Sequence, residues 1–129
     1  MAIPVNPSTL AAPFSNYSHA LIVPEGARLL VCSGQLGMAP DGTIPPDAAA
    51  QARICFDNIA VLLAEAGMGL GDVVRLNAYV TDRDHMAPYM DVRNALFPQP
   101  YPASTLMIVG GFSRPEFHVE VEAIAAHRA

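Results

Sequence analysis

Pro102-Ala103-Ser104-Thr105-Leu106-Met107-Ile108-Val109, then Gly110-Gly111, then Phe117-His118-Val119-Glu120-Val121-Glu122-Ala123-Ile124-Ala125: the fold of this chain turns on these two runs. Both alternate and are rich in β-branched residues, and Gly-Gly-Phe-Ser-Arg-Pro lies between them. The pattern predicts two strands joined by a tight connection. Because strand side chains alternate, Phe117, Val119, Val121, Ala123 and Ala125 share one face, and His118, Glu120, Glu122 and Ile124 the other. A face with two carboxylates and a histidine is ordinarily a solvated outer one. The alternative is that it carries chemistry.

Upstream, residues 72–81 repeat the alternation, with Val74, Leu76, Ala78 and Val80 facing one way and Val73, Arg75, Asn77 and Tyr79 the other. Asp82 or Asp84 can cap a helix with Pro88 in its first turn, where a missing N–H does least harm. Met86, Met90 and Phe97 give that helix its apolar stripe. Before it, Ala48, Ala52, Cys55, Ile59, Leu62 and Ala66 recur at three- and four-residue steps, with Asp47 placed as N-cap and Gly67 as the glycine after the last turn. Residues 16–23 and 28–33 read as a hairpin turned at Pro24-Glu25-Gly26, and Gly34-Gln35-Leu36-Gly37 as a break with a short third strand. Residues 1–13 form an extended arm before a single domain that spans the chain, 1–129. Two helices among five or six strands predict an α+β sheet with both helices on one face. Arg75, Tyr79, Glu120 and Glu122 leave the other sheet face too mixed for a core, and subunit association over it accounts for that.

The chain is 52% hydrophobic and 15% charged, which argues against disorder. A net charge of −5 with 7 Lys+Arg and no cationic cluster argues against a nucleic-acid partner. No apolar run approaches the roughly 20 residues that span a bilayer, and the N-terminus lacks the form of a signal peptide, so cytoplasm is the expectation and no membrane partner is. Cys32 and Cys55 are expected as buried packing thiols. The histidines His19, His85, His118 and His127 show no metal-ligand spacing, and neither metal nor cofactor is expected.

Tyr17-Ser18, Val31-Cys32-Ser33-Gly34-Gln35-Leu36-Gly37, the helix over 51–67, Val73-Val74 through Tyr79-Val80-Thr81-Asp82, and the closing Val119-Glu120-Val121-Glu122-Ala123-Ile124-Ala125 resemble the RidA family, also called YjgF or L-PSP. The similarity runs over about residues 13–126, with the motifs in the family's order. It implies a chorismate-mutase-like fold and a homotrimer whose sheets form a central barrel, with small-molecule clefts between subunits. Active members hydrolyse 2-imino or enamine acids to 2-keto acids and ammonia. The resemblance makes Glu120 the residue that orients water, Tyr17 a cleft-bordering tyrosine, and Ser33 and Gly34 pocket residues at a strand end.

One departure bears on function. Where the family carries a carboxylate-binding arginine, this chain has Ser104, with Leu106 and Ile108 on the same strand face. A guanidinium offers a carboxylate two parallel charge-assisted hydrogen bonds; a serine hydroxyl offers one neutral bond. Turnover of ordinary 2-imino acids is therefore expected to be weak or absent. Arg75, Arg93 and Arg114 are the arginines considered as substitutes, each expected instead in a surface or interface ion pair. His118 and Glu120 lie two apart and could form an acid–base couple. Two functions follow: a trimeric deaminase of an imine or enamine metabolite not held by the usual arginine, or a non-catalytic metabolite-binding or interaction trimer. Ribonuclease activity, attached to the family's older name, suits so acidic a chain poorly.

Overall fold

The computed structural model describes residues 1–128. The main sheet has four strands: β3 (Arg28–Leu36), β6 (Val119–His127), β4 (Val73–Val80) and β5 (Ala103–Ile108), in that spatial order. β5 runs parallel to β4, and β6 runs antiparallel to both its neighbours. A separate two-stranded ribbon pairs β1 (Ile3–Val5) with β2 (Ala20–Ile22). Helix α1 (Ala48–Glu65) crosses from β3 to β4, and α2 (Met86–Leu96) crosses from β4 to β5. The fold is thus α+β, with the two helices on one sheet face.

Local chemistry accounts for the elements. Asp47 caps α1 by accepting the Ala50 N–H at 3.1 Å, and Gly67 ends it at φ +71°, a left-handed position that costs a glycine little. Ala52, Cys55, Phe56, Ile59 and Leu63 line its buried stripe against Leu76, Ala78, Val80, Val119, Val121 and Ala123. Asp82 caps a 3-10 turn over Arg83–His85 that leads into α2, with Pro88 inside the first turn of that helix.

The structure corrects three expectations of strand pairing. β5 and β6 are not a hairpin, because β4 lies between them. Alternation reveals which way a strand faces but not its neighbour, and β6, with Val119, Val121, Ala123 and Ala125 almost wholly buried, takes a central slot. Residues 109–118 are long enough to carry the chain past the end of β4. β2 and β3 are likewise not paired. The turn forms, with the Ala27 N–H donating to the Pro24 carbonyl, but Pro24 cannot donate to a ladder and Gly26 turns the chain at φ +78°. β2 therefore leaves the sheet and takes Ile3–Val5 as its partner. Gly34 does not end β3; the strand continues to Leu36 through a register shift between Cys32 and Gln35.

The sheet face away from the helices is open. Leu29 and Val31 of β3 and Met107 of β5 are exposed there, and β4 and β6 contribute Arg75, Asn77, Tyr79, Glu120 and Glu122. Tyr79 donates its hydroxyl to Glu122 at 2.7 Å, and Arg75 spans to β5 by donating to Thr105 Oγ1 at 2.8 Å.

Candidate functional site

Glu120 stands on the open face, in the row Leu36–Glu120–Tyr79–Met107 across the sheet. The β3–β6 ladder passes over Ser33 and Gly34, and the Glu120 carboxyl lies against the backbone there. A Cβ at Gly34 would be 2.7 Å from Glu120 Cδ and 2.8 Å from Oε1, so the absence of a side chain at Gly34 is what admits the carboxyl. The backbone at Gly34 is not left-handed; the requirement is close approach alone. Burial raises the Glu120 pKa above the ordinary carboxylate range, and the neighbouring Glu122 adds to it. The two carboxylates differ in their partners. Glu122 is bound to a phenol, whereas Glu120 has no side-chain hydrogen bond among the described residues. A raised, uncommitted carboxylate is suited to taking a proton from water.

A second cluster lies at the outer edge of β5. Ser18 bridges to Ala103, its N–H donating to the Pro102 carbonyl and its hydroxyl to the Tyr101 carbonyl at 2.6 Å. This holds Tyr17 beside the strand, edge-on to Phe14 and to His19, each at 5.7 Å between ring centroids. Tyr17, Ser18, Tyr101, Ile3 and Asn6 line a cavity of about 590 Å³.

Ser104 pairs with Leu76 and turns toward the helices, as do Leu106 opposite Ala78 and Ile108 opposite Val80. Leu106 packs on the core, while Ile108 is half exposed at the edge. Beside Ser104 lies Arg93, which the structure removes from the surface: it is 4% exposed and has no ion pair with any carboxylate of the described residues. Its Nη2 donates to Ser15 Oγ at 2.9 Å and to Asn94 Oδ1 at 3.0 Å, its Nε to Asn94 Oδ1 at 3.2 Å, and its Nη1 to Ser104 Oγ at a long 3.5 Å. The reason is helical phase. Position 93 follows Tyr89 by one turn and precedes Phe97 by another, and both are buried, so the apolar stripe carries the arginine inward. That spacing was the available signal; a cation within a stripe reads as exposed only when its phase is ignored.

The remaining named residues lie elsewhere. His118 precedes β6; its N–H donates to buried Gln51, and its ring stands 4.8 Å from that of His85 rather than joining Glu120. Arg114 lines a cavity of about 710 Å³ with these two histidines. Cys32 and Cys55 are buried, and burial raises both thiols, Cys55 to about 12, so both are packing groups. Among the described residues no helix is long and apolar enough to cross a membrane.

Glu120 with Ser33 and Gly34, and Ser104 with Tyr17 and Arg93, are two separate groupings. Glu120 shares its row with Met107, two strands or about 10 Å away. Ser104 is three residues, about another 10 Å, farther along β5 and points to the opposite sheet face. The two cannot meet within one protomer.

A family model described as Endoribonuclease L-PSP matches residues 8–127. Protein mmf2, mitochondrial, of Schizosaccharomyces pombe is 31% identical over 126 residues, covering 96% of this chain and 97% of that one. The 2-iminobutanoate/2-iminopropanoate deaminase of Escherichia coli is 32% identical over 105 residues, covering 78% and 81%. Among solved structures, YyfB of Yersinia pestis, of the conserved Rid family, superposes with a TM-score of 0.81 at 25% identity over 98% of each chain.

Proposed function

The chain belongs to the endoribonuclease L-PSP family, which includes RidA and YjgF, and on that premise we propose that it is a homotrimeric imine or enamine deaminase with its sites between subunits. The observation that carries this reading is Glu120: its carboxyl lies against Gly34, its pKa raised by burial, with no side-chain hydrogen bond among the described residues. The separation of Glu120 from Tyr17 and Ser104 supports a cleft made by two protomers, one giving the carboxylate and the bulge at Ser33-Gly34, the other giving Tyr17 and the start of β5. Exposed Leu29, Val31 and Met107 on the open sheet face supply apolar area for that assembly.

In the proposed reaction Glu120 takes a proton from water as its oxygen adds to the C=N carbon. Glu120 passes that proton to the nitrogen, giving a tetrahedral carbinolamine; it then takes the carbinolamine hydroxyl proton and delivers it to the nitrogen as the C–N bond breaks, so that ammonia leaves with a carbonyl in place of the imine and Glu120 is ionised again. Tyr17 borders the substrate. Ser104, in the position where the family carries an arginine, takes the usual carboxylate fork off β5, so the substrate is one not held by an arginine at that position, and it leaves a non-catalytic binding trimer as the second reading. Ammonia release from freshly generated 2-iminobutanoate and from a panel of neutral imines tests the proposal. Turnover abolished in a folded Glu120→Gln trimer supports it; equal ammonia release in wild type and variant refutes it.

A further inference from the structure

We infer that Arg93 supplies the cleft with an anion anchor, its Nη1 edge receiving the carboxylate of a small 2-oxo or 2-imino acid beside Ser104. The inference rests on the proposed function only for the identity of the cleft.

Arg93 is a permanent cation with almost no contact with solvent. A charge in such a place is costly unless an anion or a full set of hydrogen bonds compensates it. Its three hydrogen-bond partners, Ser15, Asn94 and Ser104, are all neutral oxygens, and the Tyr89 ring, 6.0 Å from the guanidinium carbon to its centroid, adds only a weak attraction and no anion. Of five N–H donors, those on Nε and Nη2 are well used, while Nη1 has only the 3.5 Å contact to Ser104. The poorly served edge is therefore the one that faces the start of β5. It lies close to the Tyr17 loop, since Ser15, on the same guanidinium, is two residues from Tyr17. A carboxylate arriving there would meet a donor already oriented and partly dehydrated, the condition under which a charge-assisted bond is strongest.

Arg93 also tethers residue 15 to α2, but a tether needs no charge. Glutamine could join Ser15 to the helix without leaving a cation uncompensated. The small side chain at position 104 fits the same reading. An arginine there would bring a second guanidinium against the first, so Ser104 leaves room for a cation that comes from α2 rather than from β5. Ser104→Arg alone should therefore weaken anion binding, and it should help only when Arg93 is removed.

The test is calorimetric titration of the intact protein with 2-oxobutanoate and, as an uncharged counterpart, methyl 2-oxobutanoate. Wild type should prefer the acid. Arg93→Gln should lower acid affinity about ten- to a hundredfold and leave the ester nearly unchanged. Ser104→Arg should also lower it, and Arg93→Gln added to Ser104→Arg should restore part of it. A folded Arg93→Gln protein that binds the acid as wild type does would overturn the inference, as would a wild type that does not distinguish acid from ester. If Arg93→Gln does not fold, the guanidinium signals of the wild type labelled with 15N-arginine decide, assigned with Arg93→Lys. The Arg93 signal should move on adding the acid and stay on adding the ester; a signal unmoved by either is fatal. Acid binding through Arg93 without ammonia release would sink the deaminase and keep the anchor. Ammonia release without acid preference would do the reverse.

Discussion

Gly34→Ala isolates the contact that holds Glu120 in place. The new methyl would lie 2.7 Å from Glu120 Cδ, where ordinary contact begins near 3.4 Å, so the carboxyl must withdraw by most of an ångström. The backbone accepts alanine without strain, because φ at Gly34 is not positive. The glutamate end can move by leaving its rotamer, at about 0.5–1.5 kcal/mol, so folding should be little affected. Catalysis should suffer more, since misplacing a reacting group by about 1 Å can cost on the order of a hundredfold. The expected outcome is ammonia release reduced about a hundredfold with the melting temperature changed by only a few degrees. Carbon-13 titration of the Glu120 carboxyl should show its pKa moving back toward the ordinary range as it loses burial. Wild-type turnover together with an unchanged Glu120 titration would refute the close-approach account.

Glu120 also sets two pH dependences. Activity should fall on the acid side at a pH above the usual carboxylate range, because the base must be ionised. Its folded pKa lies above the unfolded one, so the folded state binds more protons in that window and stability contributed by Glu120 declines as pH rises through it; Glu120→Gln should flatten that slope in thermal melts. Val31→Glu, at a residue 72% exposed on the open sheet face, should reduce the mass seen by light scattering from trimer to monomer with the protomer still folded. Asp47→Ala removes the α1 cap and should cost about 1 kcal/mol in urea unfolding.

Much of this was legible in the sequence. The ends of α1 follow from Asp47 and Gly67, and the facing of β4 and β6 from strict alternation, because both are local rules that residues nearby enforce. The placement of Glu120 on the mixed face was legible in the same way. Strand order was not, because β6 enters between β3 and β4 by contacts between residues some ninety positions apart on the β3 side and some forty to fifty on the β4 side, which leave no mark on local pattern. Arg93 escaped for a different reason: charge suggested the surface, while the helical phase shared with Tyr89 and Phe97 placed it inside.

The central position of β6 also orders events during synthesis. During synthesis β3, α1, β4, α2 and β5 are all made before β6, so the slot between β3 and β4 stays vacant until residues 119–127 are free to enter it. Until then the apolar sides of both halves have no common partner, and two strand edges stand open to other chains. The nascent protein therefore depends on holding those edges apart, and a stop codon ahead of Val119 would remove the keystone rather than trim an end.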